Sequence, residues 1–124
     1  SPIPGLARWL KNIDAPLVAD LQAISIKALP EKHMLRKRLQ SAVAKYLARS
    51  LANNKPIDPV ARFHLSNGAR IERINWAGDL SPKGLEQSFG LMVNYLYDLK
   101  SLAKNRDLLA KGRVTASKDV TRWL

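Results

Sequence analysis

Apolar residues recur at helical spacing through the first part of the chain. Leu6, Trp9, Leu10 and Ile13 define a short helix over Leu6 to Ile13. Asp14 reads as the N-cap of a second helix, with Pro16 tolerated in its first turn. Its inner stripe is Leu17, Leu21, Ile24 and Ala28, and it runs to about Leu29 before Pro30 stops it. A third helix is predicted from Glu31 to about Leu51. There Leu35, Leu39, Ala42, Val43, Tyr46 and Leu47 turn inward, while Lys32, Arg36, Lys37, Lys45 and Arg49 face water. His33, near its start among charged residues, reads as a surface histidine without a role. Asn53-Asn54-Lys55-Pro56 reads as a loop.

The period then changes from helical to alternating. From Val60 to Ser66, Ala61, Phe63 and Leu65 would share one face of a strand, and Val60, Arg62, His64 and Ser66 the other. Asn67-Gly68 is the residue pair that a two-residue type I′ turn favours, so Pro59 to Trp76 is predicted to be a β-hairpin. In that register His64 would lie opposite Ile71 and Arg62 opposite Arg73, collecting His64, both arginines and Asn75 on one face. Two opposed arginines would need an anion between them.

Ala77 to Leu80 reads as a turn, and Ser81-Pro82 as a cap followed by a first-turn proline. A helix is predicted from Lys83 to about Leu99, with Leu85, Phe89, Met92, Val93 and Leu96 on its apolar stripe. The tail from Ser101 to Leu124 reads as helical, Lys-rich and interrupted at Gly112. Several helices with one hairpin give an α+β fold class.

With 124 residues the chain can form one domain with a modest core. The opening Ser-Pro-Ile-Pro-Gly carries two prolines that exclude a helix or strand interior, and it reads either as a plain connector or as a stiff loop holding Ser1 in place. Its abrupt start suggests a part of a longer protein. The absence of cysteine excludes a disulfide framework and thiolate chemistry. No apolar run approaches a membrane span and no leader pattern is visible, so a soluble, cytoplasmic protein without a membrane partner is expected. The charge is strongly positive, with 21 Lys and Arg against 10 Asp and Glu, which points to an anionic partner.

The chemistry available is narrow. Two histidines far apart and no cysteine make no metal site, and no phosphate-binding glycine loop is present. What remains is His64, able to exchange a proton near neutral pH, the serine of the proline loop, and the tyrosines after the predicted hairpin. Taken alone, a histidine in a strand is more often structural than catalytic.

The stretch FHLSNGARIERINWAGDLSPKGLEQSFGLMVNYLY resembles the C-terminal region of malonyl-CoA decarboxylases, and SPIPG resembles a second signature of that family. The likeness is strongest from Pro59 to Tyr97 and from Ser1 to Trp9; the intervening helices match loosely and the tail is not diagnostic. It implies the C-terminal part of a GNAT-like acyl-CoA-binding catalytic domain, with an upstream helical oligomerisation domain and the first part of the catalytic domain absent from these residues. It implies a homo-oligomer in the full-length protein and the conversion of malonyl-CoA to acetyl-CoA and CO2, a step of fatty acid metabolism. The family's catalytic serine and histidine fall on Ser1 and His64. Tyr97, at the end of the Asn-Tyr-x-Tyr motif, and Asn94, at its start, are the substrate-binding candidates. No metal and no cofactor is expected, because the thioester carbonyl of the substrate can take the electron pair, and CoA phosphates would account for some of the basic excess. The chain does not end in the peroxisomal Ser-Lys-Leu signal. Two other classes compete: a CoA-dependent acyltransferase on the same fold, and a basic nucleic-acid-binding module, the latter lacking any helix-turn-helix pattern or ordered basic stripe.

Overall fold

A computed structural model describes all residues from Ser1 to Leu124. Helices α1 (Leu6–Ile13), α2 (Ala15–Gln22) and α3 (Met34–Arg49) come first, followed by the short strands β1 (Leu51–Ala52) and β2 (Lys55–Pro56). Then follow α4 (Pro59–Ser66), β3 (Arg70–Asn75), α5 (Pro82–Ser88), β4 (Met92–Leu96), α6 (Leu102–Ala110) and α7 (Lys118–Thr121). The fold is α+β, with one core formed by Ile3, Leu6 and Leu10 of the N-terminal segment, Leu17 and Leu21 of α2, Leu39, Val43 and Leu47 of α3, and Ile71, Leu91 and Val93 around the sheet.

The first helix has the predicted bounds. Asp14 caps the second as expected, its Oδ1 accepting the Leu17 N–H at 3.2 Å. That helix stops at Gln22, however, and the chain continues to Leu29 through a 3-10 turn at Ile26–Ala28. His33 does have a role: its Nδ1 accepts the Leu35 N–H at 3.1 Å and caps α3.

The predicted hairpin over Pro59 to Trp76 does not exist. Its first half is helix α4, so His64 lies on a helix and Arg62 does not face Arg73. The reason is Asp58-Pro59. Asp58 Oδ2 accepts the Ala61 N–H at 2.9 Å, and Pro59 has the fixed φ that a first helical residue needs. Ala61 and Leu65, four residues apart, then face inward together, whereas Phe63 is 63% exposed. Asn67-Gly68 ends this helix rather than reversing a strand. Gly68 takes φ +91°, the Gly68 N–H donates to Leu65 O and the Ala69 N–H donates to His64 O, as in a Schellman stop. The tight two-residue turn occurs earlier, where Asn53 and Asn54 both have positive φ and bring Ala52 opposite Lys55.

The predicted long helix after Ser81 is also shorter. Ser81 Oγ does accept the Gly84 N–H at 3.1 Å, but α5 ends at Ser88, with Phe89 in the left-handed conformation. Met92–Leu96 becomes β4, antiparallel to β3, with Ile71 paired to Tyr95, Arg73 to Asn94 and Ile74 to Val93 around a bulge at Glu72. Val93 is buried and its neighbour Asn94 exposed, the alternation of a strand with one inner face. Both outer edges of this ribbon are extended by single segments. On the β4 side the Ser1 N–H donates to Val93 O at 2.9 Å and the Val93 N–H to Ser1 O at 3.0 Å. On the β3 side the Ile71 N–H donates to Thr115 O and the Ser117 N–H to Ile71 O. The helical tail is interrupted at Gly112, as expected.

The buried carboxylate of Asp58 ties three of these segments together. Besides capping α4, it accepts the Tyr46 hydroxyl of α3 at 3.3 Å, and the backbone N–H groups of Val60 and Gly5 lie near enough to favour its charged form. Glycine at position 5 leaves room for the Tyr46 hydroxyl, which a Cβ there would displace. Burial raises the Asp58 pKa above its ordinary 3.8, against the opposing pull of these donors. Asp58→Ala is expected to cost about 3 kcal/mol, a lost cap plus orphaned buried donors, read as a fall in urea midpoint at constant m. A raised folded pKa means the native state holds the proton more tightly, so the group's contribution falls as pH rises from the unfolded value through the folded one. The stability advantage of the unaltered chain over Asp58→Asn should therefore shrink from acid towards neutral pH; a growing gap would contradict it.

Candidate active site

The site is built from three segments that the fold brings to one place. The backbone pairing of Ser1 with Val93 fixes the serine at the edge of β4. Helix α4, capped by Asp58, carries His64 near its C-terminal end. Strand β4 supplies Tyr95 and, one residue past its end, Tyr97; alternation puts both on the side of buried Val93.

The side chains converge on the imidazole. Ser1 Oγ lies 3.5 Å from His64 Nε2, and the Tyr97 hydroxyl 2.6 Å from Nδ1. Tyr95 stacks on the ring, centroids 4.4 Å apart and planes 22° from parallel. A neutral imidazole carries one N–H and one bare nitrogen. When the Tyr97 O–H donates to Nδ1, the Nε2–H is directed at the serine; when Nδ1–H donates to Tyr97, the serine O–H can donate to Nε2. Either arrangement is satisfied without charge. Burial holds the His64 pKa below its usual 6.5.

Of the four residues singled out in the sequence, Ser1, His64 and Tyr97 meet. Asn94 does not. It points to the opposite, exposed face of β4, where its Oδ1 accepts the Asn75 side-chain N–H at 3.0 Å. Nor do the arginines gather at His64: Arg62 is on α4, and Arg73 lies opposite Asn94 across the sheet. Sequence reading kept Tyr95 only among the tyrosines after the predicted hairpin and assigned it a helical period, so its place in a strand and its contact with His64 were missed. It also missed Asp58, although Asp-Pro carries the same signal as Ser81-Pro82.

His64 opens onto surface rather than into an enclosed cavity, between exposed Phe63 and Tyr97, which is 41% exposed. A cleft of about 520 Å³, lined by Leu21, Ile24, Ile26, Leu80, Leu85 and Phe89 among others, lies elsewhere and includes none of the converging residues. No helix is long and apolar enough to cross a membrane.

The family profile described as the malonyl-CoA decarboxylase C-terminal domain matches residues 1–124. The chain is 32% identical over 152 aligned positions to the mitochondrial malonyl-CoA decarboxylase of Rattus norvegicus, covering 97% of this chain and 31% of that protein. The crystal structure of malonyl-CoA decarboxylase from Cupriavidus metallidurans superposes over 100% of this chain and 37% of its own, at 37% identity and TM-score 0.83. The corresponding enzyme structure from Rhodopseudomonas palustris gives 36% identity and TM-score 0.82, over 98% of this chain and 33% of its own. The fold is thus that of the C-terminal part of a carboxy-lyase. The chain belongs to the malonyl-CoA decarboxylase family. It spans about a third of the length of these relatives.

His64 is expected to titrate below 6.5 in a ring-proton NMR titration, with His33→Gln introduced to leave one histidine signal. Because the folded state favours the neutral ring, the stability it contributes should be present above pH 6.5 and decline as pH falls through the folded pKa. A His64 signal titrating above 6.5 would remove the burial argument.

Proposed function

We propose that this chain supplies the Ser1–His64–Tyr97 part of a site that decarboxylates malonyl-CoA to acetyl-CoA and CO2, within a GNAT-like acyl-CoA-binding domain of the relatives' full length. Family membership supports the substrate, and the observation that carries the residue roles is the meeting of Ser1 Oγ and Tyr97 Oη on the two nitrogens of one imidazole.

The bond that breaks joins the malonyl carboxylate carbon to the α-carbon. Its electron pair moves towards the thioester carbonyl, leaving an enolate, and CO2 departs. Hydrogen bonds aimed at the growing negative charge lower this barrier. The α-carbon must then gain a proton. Nε2–H of His64 gives it, while the Tyr97 O–H passes its own proton to Nδ1, so the imidazole never becomes an anion. The Nδ1 proton then returns to Tyr97 as Nε2, at the open surface, takes a proton from water, which restores the donor. Ser1 holds the ring and the malonyl group in register. The thioester carbonyl is the electron sink, so the proposed reaction requires neither a metal nor a redox cofactor, and it takes place in the cytoplasm. The two prolines that stiffen the serine loop fit this need for fixed geometry.

The proposal is tested by turnover of malonyl-CoA in protein of the relatives' full length that contains these residues. His64→Asn should lower kcat about a hundredfold or more, with a smaller change in substrate affinity, since a proton donor is lost and the polar shape kept. Tyr97→Phe should lower kcat too, and Ser1→Ala less, by about tenfold, because it loosens orientation alone. A His64→Asn enzyme turning over at the unaltered rate would end the general-acid role. The isolated 124 residues are expected to be inactive.

A further inference from the structure

Tyr95 has no part in the proton path, yet it makes the most extensive contact with His64. Phe63 and Tyr97 meet the imidazole edge-on, with centroids 5.2 and 5.7 Å away, and only Tyr95 covers a face. Its backbone is held in register opposite fully buried Ile71, so the ring stands on a fixed base. The Ser1 and Tyr97 hydroxyls hold the two nitrogens of the imidazole, and a ring held at two edge atoms can still rock about the line that joins them. A second ring lying flat against it removes the rocking. Together the two tyrosines define both the tilt and the rotation that aim Nε2 at Ser1 Oγ.

We propose that Tyr95 is a positioning residue for His64, its aromatic face setting the plane of the imidazole. This rests on the proton-donor reading of His64. The function belongs to the ring and not to the hydroxyl, because the Tyr95 hydroxyl is buried and has no hydrogen-bond partner. Stacked aromatic pairs are stabilised beyond their buried area, and a π-face also favours a cationic ring over a neutral one. The groups facing His64 that could compete with this effect are the hydroxyls of Ser1 and Tyr97.

The test joins NMR on this chain to turnover in protein of the relatives' full length. In the otherwise unaltered chain carrying His33→Gln, nuclear Overhauser contacts should connect the His64 ring protons to the Tyr95 ring. Tyr95→Phe should keep those contacts, the His64 titration and kcat. Tyr95→Leu keeps the burial and loses the face, so the His64 pKa should move further down and kcat should fall about threefold to tenfold, with KM within about twofold. Absence of the ring contacts overturns the assignment without any variant, even if Tyr95→Leu fails to fold. Full kcat in Tyr95→Leu, or equal losses in Phe and Leu variants, overturns it too. Failure of the decarboxylation reading is distinguishable, because it shows as full turnover by His64→Asn whatever Tyr95 does.

Discussion

A carboxylate without access to water governs the geometry of this domain. Asp58 is fully buried, and an ion there is tolerable only because donors surround it. Those donors come from three places: the N-terminus of α4, the hydroxyl of Tyr46 on α3, and Gly5 of the serine loop. Moving any one of the three would weaken the support of the buried carboxylate. The carboxylate thereby fixes the start of the His64 helix relative to the loop that carries Ser1. Asp58 is six residues from His64 along the chain, and Gly5 is four from Ser1. Tyr46 is drawn into the same arrangement, and burial together with the adjacent carboxylate holds its hydroxyl protonated far above its ordinary range.

The sheet provides the second constraint. Ser1 is pinned by reciprocal backbone hydrogen bonds to Val93, two residues before Tyr95 and four before Tyr97. Strand alternation then places the stacking ring and the hydrogen-bonding hydroxyl on the same side as the serine's anchor. Residues distant in the sequence, separated by 63 and 33 positions from His64, are brought to its two nitrogens by one strand and one loop. None of these placements depends on a long-range salt bridge. The ion pairs present, Arg38–Asp14 and Arg70–Glu72, lie at the surface and fix no part of the site.

The helix caps, and the helical stripes of the N-terminal half as far as Leu21 and again along α3, were legible because their signals are local. Leu6 to Ile13 has the predicted bounds, and Asp14 and Ser81 act as the caps they resemble. The middle of the chain misleads because two local signals disagree. Val60 to Ser66 alternates like a strand, and Asn-Gly favours a turn, but Asp58-Pro59 starts a helix, and burial of the Asp58 carboxylate decides between them. The same Asn-Gly pair serves a helix stop as well as a hairpin, since both require a positive φ. At Met92 to Leu96, five residues with apolar members fit either period; the tertiary pairing with β3 selects the strand. The site residues were legible for another reason. Ser1, His64 and Tyr97 were identified from motif resemblance, which is indifferent to whether the histidine rides on a strand or a helix.

That indifference hides a physical consequence. In a hairpin, His64 would have had a cross-strand neighbour directly opposite, and its ring would have been sandwiched by the sheet itself. On this short helix the element itself buries only Ala61 and Leu65, and His64 stays at the rim of that buried stripe. Phe63, the adjacent aromatic, is itself mostly in solvent and cannot clamp anything. A helical histidine of this kind has its orientation supplied from outside its own element, and β4 is the one strand whose inner face reaches it. The paired tyrosines of the Asn-Tyr-x-Tyr motif follow from that requirement: spacing of two in a strand delivers one ring to the imidazole face and one hydroxyl to its edge, which spacing of two in a helix would point apart.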